Sequence, residues 1–165
     1  DKIILDVGAS TGGFTDCLLQ RGAQKVFAVD VGYGQLAWKL RQDSRVIPLE
    51  KKNVRFIRSE DIGQKVDLIT IDVSFISLKL VLPAVKPLLE GRGQILALVK
   101  PQFEVGKGQV GKGGVVKDAE KHKKVISEIS LFSEKLGLTV VGVTESKLMG
   151  PKGNREFFIH LICEP

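Results

Sequence analysis

A chain of 165 residues, 43% hydrophobic and 27% charged, has the length and make-up of one globular domain with a sizeable core. Its formal net charge of +6 points to an anionic partner, with nucleic acid first in line. Two cysteines and two histidines argue against a disulfide framework or a metal site and for a reducing, cytoplasmic setting. No apolar run approaches the roughly 20 residues of a membrane span, and no signal-peptide pattern opens the sequence.

Residues 2–7 form a short aliphatic run that predicts a strand buried on both faces. A glycine turn follows, and Phe14, Leu18 and Leu19 then carry a helical pattern over 14–21. A second buried strand, 26–30, ends in Asp30, and Leu36, Ala37 and Leu40 predict a helix over 34–42. A short strand at 45–49 leads into a polar stretch over 53–65. The fourth strand, 66–72, again ends in aspartate. Residues 77–90 read as a helix that Pro83 and Pro87 kink or split. A fifth strand, 94–99, delivers Lys100-Pro101 at its end, and a glycine- and lysine-rich loop spans 103–117. The stripe Val125, Ile129, Phe132 and Leu136 predicts an amphipathic helix over about 118–136. The last strands, 138–144 and 156–162, have no helix between them, so the final one should run antiparallel to its neighbour.

This alternation predicts an α/β fold, a doubly wound and mostly parallel sheet with one reversed strand near the C-terminus. That reversal matches a Rossmann-like methyltransferase sheet better than a dehydrogenase sheet. Ligands in such sheets lie at the carboxyl ends of the strands, where Asp6, Asp30, Asp72 and Lys100 fall.

The first turn, Asp6-Val7-Gly8-Ala9-Ser10-Thr11-Gly12-Gly13-Phe14, is a ligand cradle by composition. Glycines allow close backbone approach, and a helix N-terminus attracts anionic groups. Gly8 and Gly13 have phosphate-loop spacing, but Phe14 stands where the lysine belongs; Ser10 stands where a dinucleotide fingerprint needs its middle glycine. S-adenosylmethionine, cationic and free of phosphate, fits a loop that begins with Asp6. The plainer reading is a tight strand–helix turn of any α/β protein. Asp30, followed by Val31, is placed to accept hydrogen bonds from two ribose hydroxyls, or to end the strand in solvent; NAD would use it equally. Asn53-Val54 follows the third strand, where an amide meets an adenine edge. A lysine ending a buried strand is costly unless paired or functional, which singles out Lys100 beside Asp72. A simple surface ion pair is the alternative. Tyr33 and Trp38 are expected to pack on or beside the second helix and not to serve as stacking platforms.

The blocks DVGASTGGFTD, VDVGYGQL, TIDVSFIS, LVKPQFE and GPKGNREF run in order through the chain and resemble the hemolysin A (TlyA-type) ribosomal RNA methyltransferases, a branch of the FtsJ-like 2′-O-ribose methyltransferases. The resemblance implies a Rossmann-like methyltransferase fold, S-adenosylmethionine as donor, and a cytidine ribose in ribosomal RNA as acceptor. It also implies a Lys-Asp-Lys-Glu catalytic tetrad. Asp72, Lys100 and Glu156 match its last three members. The first lysine lies ahead of the first strand in that family and is matched by nothing here, as is the family's small S4-type RNA-binding domain, so a domain of something longer is expected. On this reading Lys100 is the general base, Asp72 orients it, and Glu156 fixes a neighbouring lysine or the ribose. Lys107, Lys112 and Lys117 in the mobile basic loop, with Lys152 and Arg155 near Glu156, are the candidate contacts to RNA phosphates. Rival readings are a nicotinamide-dependent oxidoreductase, a non-catalytic RNA-binding module, and a cytolysin, as the family's name suggests.

Overall fold

The computed structural model describes residues 1–164. Seven strands make one sheet: β1 Ile3–Val7, β2 Lys25–Val29, β3 Val46–Leu49, β4 Val66–Ile71, β5 Leu89–Val99, β6 Leu138–Glu145 and β7 Phe157–Cys163. Their order across the sheet is β3-β2-β1-β4-β5-β7-β6. Only β7 is reversed: β3 to β5 pair in parallel through β2, β1 and β4, whereas β7 runs antiparallel to both β5 and β6. The doubly wound sheet with a reversed strand read from the sequence is the one observed.

The helices are α1 Gly13–Gln20, α2 Trp38–Arg41, α3 Ser59–Ile62, α4 Leu78–Val85, α5 Pro101–Glu104 and α6 Ala119–Lys135. Alternate residues of each strand feed the two layers. Leu5, Val7, Ile69, Ile71 and Ile95 pack with Val81 and Leu82 of α4 and Val125 and Ile129 of α6. Ile4, Val26 and Ala28 pack on the other face with Leu19 of α1 and Leu40 of α2.

Four expectations are corrected. The helix expected over 34–42 is only the single turn α2, because Leu36 and Ala37 bury themselves from the loop ahead of it. Residues 77–90 are divided at Pro87: α4 stops at Val85, a 3₁₀ turn takes Lys86–Leu88, and β5 already begins at Leu89. The loop expected from 103 starts after α5, a turn of helix directly beyond Lys100 that Pro101 opens. Neither Tyr33 nor Trp38 packs on the second helix's buried side. Both stand in solvent, Trp38 at 75% exposure, and Tyr33 lies under Lys51 Nζ, 4.6 Å from its ring centre.

Candidate active site

Asp72 and Lys100 lie just beyond the carboxyl ends of β4 and β5, which are neighbours in the sheet. Register decides what meets at this edge. Val99 pairs with Phe157 in the antiparallel ladder, so the next residues outward, Lys100 and Glu156, stand across from each other. A reversed strand is what brings its own first end to the edge where parallel strands finish. Lys100 Nζ sits 2.6 Å from Asp72 Oδ1 and donates to Ser74 Oγ at 3.2 Å. Lys100 is only 9% exposed, so this amine is held by partners and not by bulk water. Glu156 is 5% exposed and precedes β7 by one residue; its Oε1 accepts a hydrogen bond from Gln102 Nε2 at 3.0 Å.

A cavity of about 780 Å³ opens beside this edge. Of the residues singled out from the sequence, Gly8, Ser10, Asp30, Val31, Asn53, Val54 and Asp72 line it. Asp30 Oδ2 accepts from the Ser10 backbone N–H and Oδ1 from that of Gly32, both at 2.8 Å, which ties the glycine turn to the end of β2. A carboxylate has about four acceptor positions, so two remain for a ligand. Asn53 Oδ1 is spent on Arg55 N at 3.0 Å, capping a 3₁₀ turn over Val54–Phe56 and leaving its amide N–H₂ group as the available donor. Two carboxylates, Asp30 and Asp72, face the cavity, while the charge of Lys52 on its wall is taken up by Asp61 at 2.6 Å. Asp72 is itself paired with Lys100, and Arg55 adds a cation to the wall, so what the cavity offers a ligand is acceptors for hydroxyls at Asp30 and a mixed set of charges around them.

The glycine turn also serves the fold. A Cβ at Gly8 would lie 2.0 Å from the Asp72 carbonyl oxygen, so this glycine lets the ends of β1 and β4 close together. A Cβ at Gly12 would strike Leu40 at 2.2 Å, whereas at Gly13 it would meet nothing within 4 Å. Ala9 is buried against α2's side of the sheet, the Thr11 carbonyl accepts from Ala37 N, and the Phe14 ring meets Phe158 edge-on at 6.3 Å.

Asp6 is corrected outright. Its carboxylate is 0% exposed, does not reach the cavity, and is closed in by the hydroxyls of Thr15 at 2.7 Å and Thr70 at 3.0 Å. Burial pushes this carboxyl above its ordinary value, and the two hydroxyls counter that only in part. The folded state therefore holds the proton more tightly than the unfolded chain. The stabilising share is full in acid, below the unfolded pKa, and is lost as pH rises through the raised folded pKa. For Asp6→Asn, the melting temperature relative to wild type should grow more favourable as pH rises above the ordinary carboxylate range. A pH-independent difference in thermal unfolding scans would show that Asp6 titrates alike in both states.

The basic residues divide. Lys107, Lys112 and Lys117 are exposed, and among the described residues none of them forms a salt bridge. The loop that carries them is tethered at its far end: buried Asn154 accepts from Val116 N at 3.0 Å and donates to the Gly114 carbonyl at 2.9 Å, and His122 Nε2 meets the Val116 carbonyl at 2.7 Å. Lys152 is exposed with a left-handed backbone, φ 59°. Arg155 is engaged in a two-pronged pair with Glu145, through Nε at 2.6 Å and through Nη2, and this pair holds the Glu145 carboxyl below its usual range. A phosphate would have to compete with Glu145 for it. Ser74, Gln102 and Asn154 escaped the sequence reading. Each lies within a motif block or two residues from a singled-out position, but only the fold shows what it touches.

A sequence model of the FtsJ-like methyltransferase family matches residues 1–162. The chain belongs to that family. It is 54% identical over 157 residues to the 16S/23S rRNA (cytidine-2′-O)-methyltransferase TlyA of Mycobacterium tuberculosis, a match that covers 95% of this chain and 59% of the relative. A solved chain from Streptococcus thermophilus with hemolysin in its description superposes with a TM-score of 0.97 at 48% identity, over 99% of this chain and 60% of that one. At 17% identity the likeness is one of fold: a Burkholderia thailandensis N-methyltransferase with bound S-adenosylhomocysteine gives a TM-score of 0.68, over 99% of this chain and 72% of that one. The FtsJ-like chain thus spans about three fifths of its Mycobacterium relative, and its sheet is of the Rossmann-like methyltransferase type. Among the described residues no helix is long and apolar enough to cross a membrane, and no group of three or more His, Cys, Asp or Glu side chains could hold a metal ion.

Proposed function

We infer that residues 1–165 are the catalytic domain of an S-adenosylmethionine-dependent 2′-O-ribose methyltransferase acting on cytidine in ribosomal RNA. The observation that carries this reading is Lys100 Nζ, clasped by Asp72 and Ser74, two residues that line a cavity in which Asp30 offers acceptors to the hydroxyls of a nucleoside. The identity with the Mycobacterium enzyme supports the acceptor.

In this reading Asp30 receives the two ribose hydroxyls of the cofactor, Val31 and Val54 flank its base, and Asn53 offers its amide N–H₂ group to the base edge. Asp72 and the Gly8–Ser10 turn take the methionine end. Once bound, S-adenosylmethionine supplies a methyl group on a positively charged sulfur. The acceptor hydroxyl is a poor nucleophile until its proton is shared with a base, and Lys100 is the residue that takes up that proton. Asp72 and Ser74 fix the amine so that the acceptor oxygen meets it along one line, and positioning of this kind supplies much of the rate. Lys107, Lys112, Lys117, Lys152 and Arg155 provide the cationic surface for RNA phosphates, Arg155 after exchange of its carboxylate partner.

The test uses thermal shifts. A ligand that binds only the folded state raises the melting temperature, by an amount equivalent to about 2.7 kcal/mol at a hundredfold excess over Kd. S-adenosylhomocysteine should produce such a shift, and Asp30→Ala should remove most of it. Stabilisation by NAD with none from S-adenosylhomocysteine would refute the cofactor assignment.

A further inference from the structure

The amide of Gln102 is buried with one end used and the other wasted. Its Nε2 donates to Glu156 Oε1, whereas its Oε1 is fully enclosed and has no hydrogen-bond partner among the described residues. Turning the amide over would set its oxygen against the carboxylate oxygen, so the carboxylate dictates the orientation. An enclosed carbonyl without a donor opposes folding, and an apolar side chain of the same size would remove that opposition. The site therefore keeps an amide whose one partnered end is the donor to Glu156. A second element closes on the same carboxylate oxygen. A Cβ at Gly150 would lie 2.1 Å from Glu156 Oε1, so the turn between β6 and β7 passes as close as a bare backbone permits. Glu156 Oε1 thus meets both an amide from α5, two residues beyond Lys100, and a glycine from that turn.

We propose that Gln102 is a positioning residue whose N–H₂ group, together with the bare backbone of Gly150, locks the Glu156 carboxylate in the one placement that serves methyl transfer. The inference rests on the methyltransferase reading above. It adds the device that orients Glu156: one oxygen tied to Gln102, while Oε2 accepts no hydrogen bond from any described residue and stays available to the reacting groups.

Gln102→Met keeps the bulk and removes the donor. In the full-length protein it should lower kcat for ribosomal RNA about 10²-fold, as a shift of roughly 1 Å at a reacting group does. KM for RNA and the thermal shift by S-adenosylhomocysteine should be unchanged. Gly150→Ala should act in the same sense; its backbone (φ −72°, ψ −176°) suits any residue, so the only new event is the collision with Glu156. In a Glu156→Ala background neither change should cost anything further, since all three act through one carboxylate. A crystal structure of the Gln102→Met chain supplies a readout independent of turnover: the Glu156 side chain should leave its present rotamer. Glu156 unmoved, kcat unchanged, or a loss that adds in full to that of Glu156→Ala would each overturn the proposal. A displaced Glu156 in an otherwise wild-type protein that methylates no RNA would instead uphold the lock and refute the methyltransferase reading.

Discussion

Lys100→Met in the full-length protein is expected to reduce methyl transfer by about 10²- to 10⁴-fold, the span for loss of a positioned base. The substitution keeps the bulk of a side chain that is 9% exposed and deletes the amine that bridges Asp72 and Ser74. The residues assigned to the cofactor's ribose and base are untouched, so the thermal shift by S-adenosylhomocysteine should survive. Lys100→Arg should not restore turnover, because a guanidinium stays protonated and cannot receive the hydroxyl proton. Single-turnover assays with labelled methyl donor read this directly. Robust transfer by Lys100→Arg would reduce Lys100 to a charge that places the ribose.

The second large effect concerns stability. At Gly8, φ is +79° and an added Cβ would fall 2.0 Å from the Asp72 carbonyl oxygen, which is backbone and cannot swing aside. Gly8→Ala therefore combines left-handed strain of about 1–2 kcal/mol with separation of the β1 and β4 ends. A total of roughly 3 kcal/mol or more is expected, which for a chain of this size means about 6–12 °C in melting temperature. S-adenosylhomocysteine binding should fall with it, since the collision displaces Asp72. Gly13→Ala in the same turn is the control: open space surrounds that position, and its melting temperature should stay within about 2 °C of wild type. Equal losses at the two sites in calorimetry would remove the close β1–β4 approach as the cause.

The glycine turn shows how far the sequence could be read. Its residues marked the correct place on the correct strand, because aliphatic runs followed by glycine have few other solutions in an α/β chain. Purpose was harder to see. Gly8 and Gly12 are compatible with a ligand or with a neighbouring chain segment, and the structure shows close neighbours at both, the Asp72 carbonyl and Leu40. Asp6 was misread for a related reason. A carboxylate near a strand end looks the same whether it faces a cavity or two threonine hydroxyls from α1 and β4. The pairing of Lys100 with Asp72 was anticipated because an amine on a buried strand end needs a counter-charge. Gln102 could not be anticipated in the same way: its partner lies 54 positions on and meets it only through the β5–β7 register. The overlong second helix came from apolar spacing that a loop and a helix can satisfy alike.

The reversed strand β7 also orders events in time. It is the last of the seven strands in sequence order, yet it sits between β5 and β6, and among the described residues β6 pairs with no other strand. During synthesis the outer edge of β5 and all of β6 therefore wait as open edges until residues 157–163 have emerged. Glu156 enters its place in the same step, so the edge that carries Lys100 and Asp72 gains this carboxylate only when β7 inserts between β5 and β6. A nascent chain halted before that point would carry Lys100 and Asp72 already set on parallel strands, but without the carboxylate that faces them.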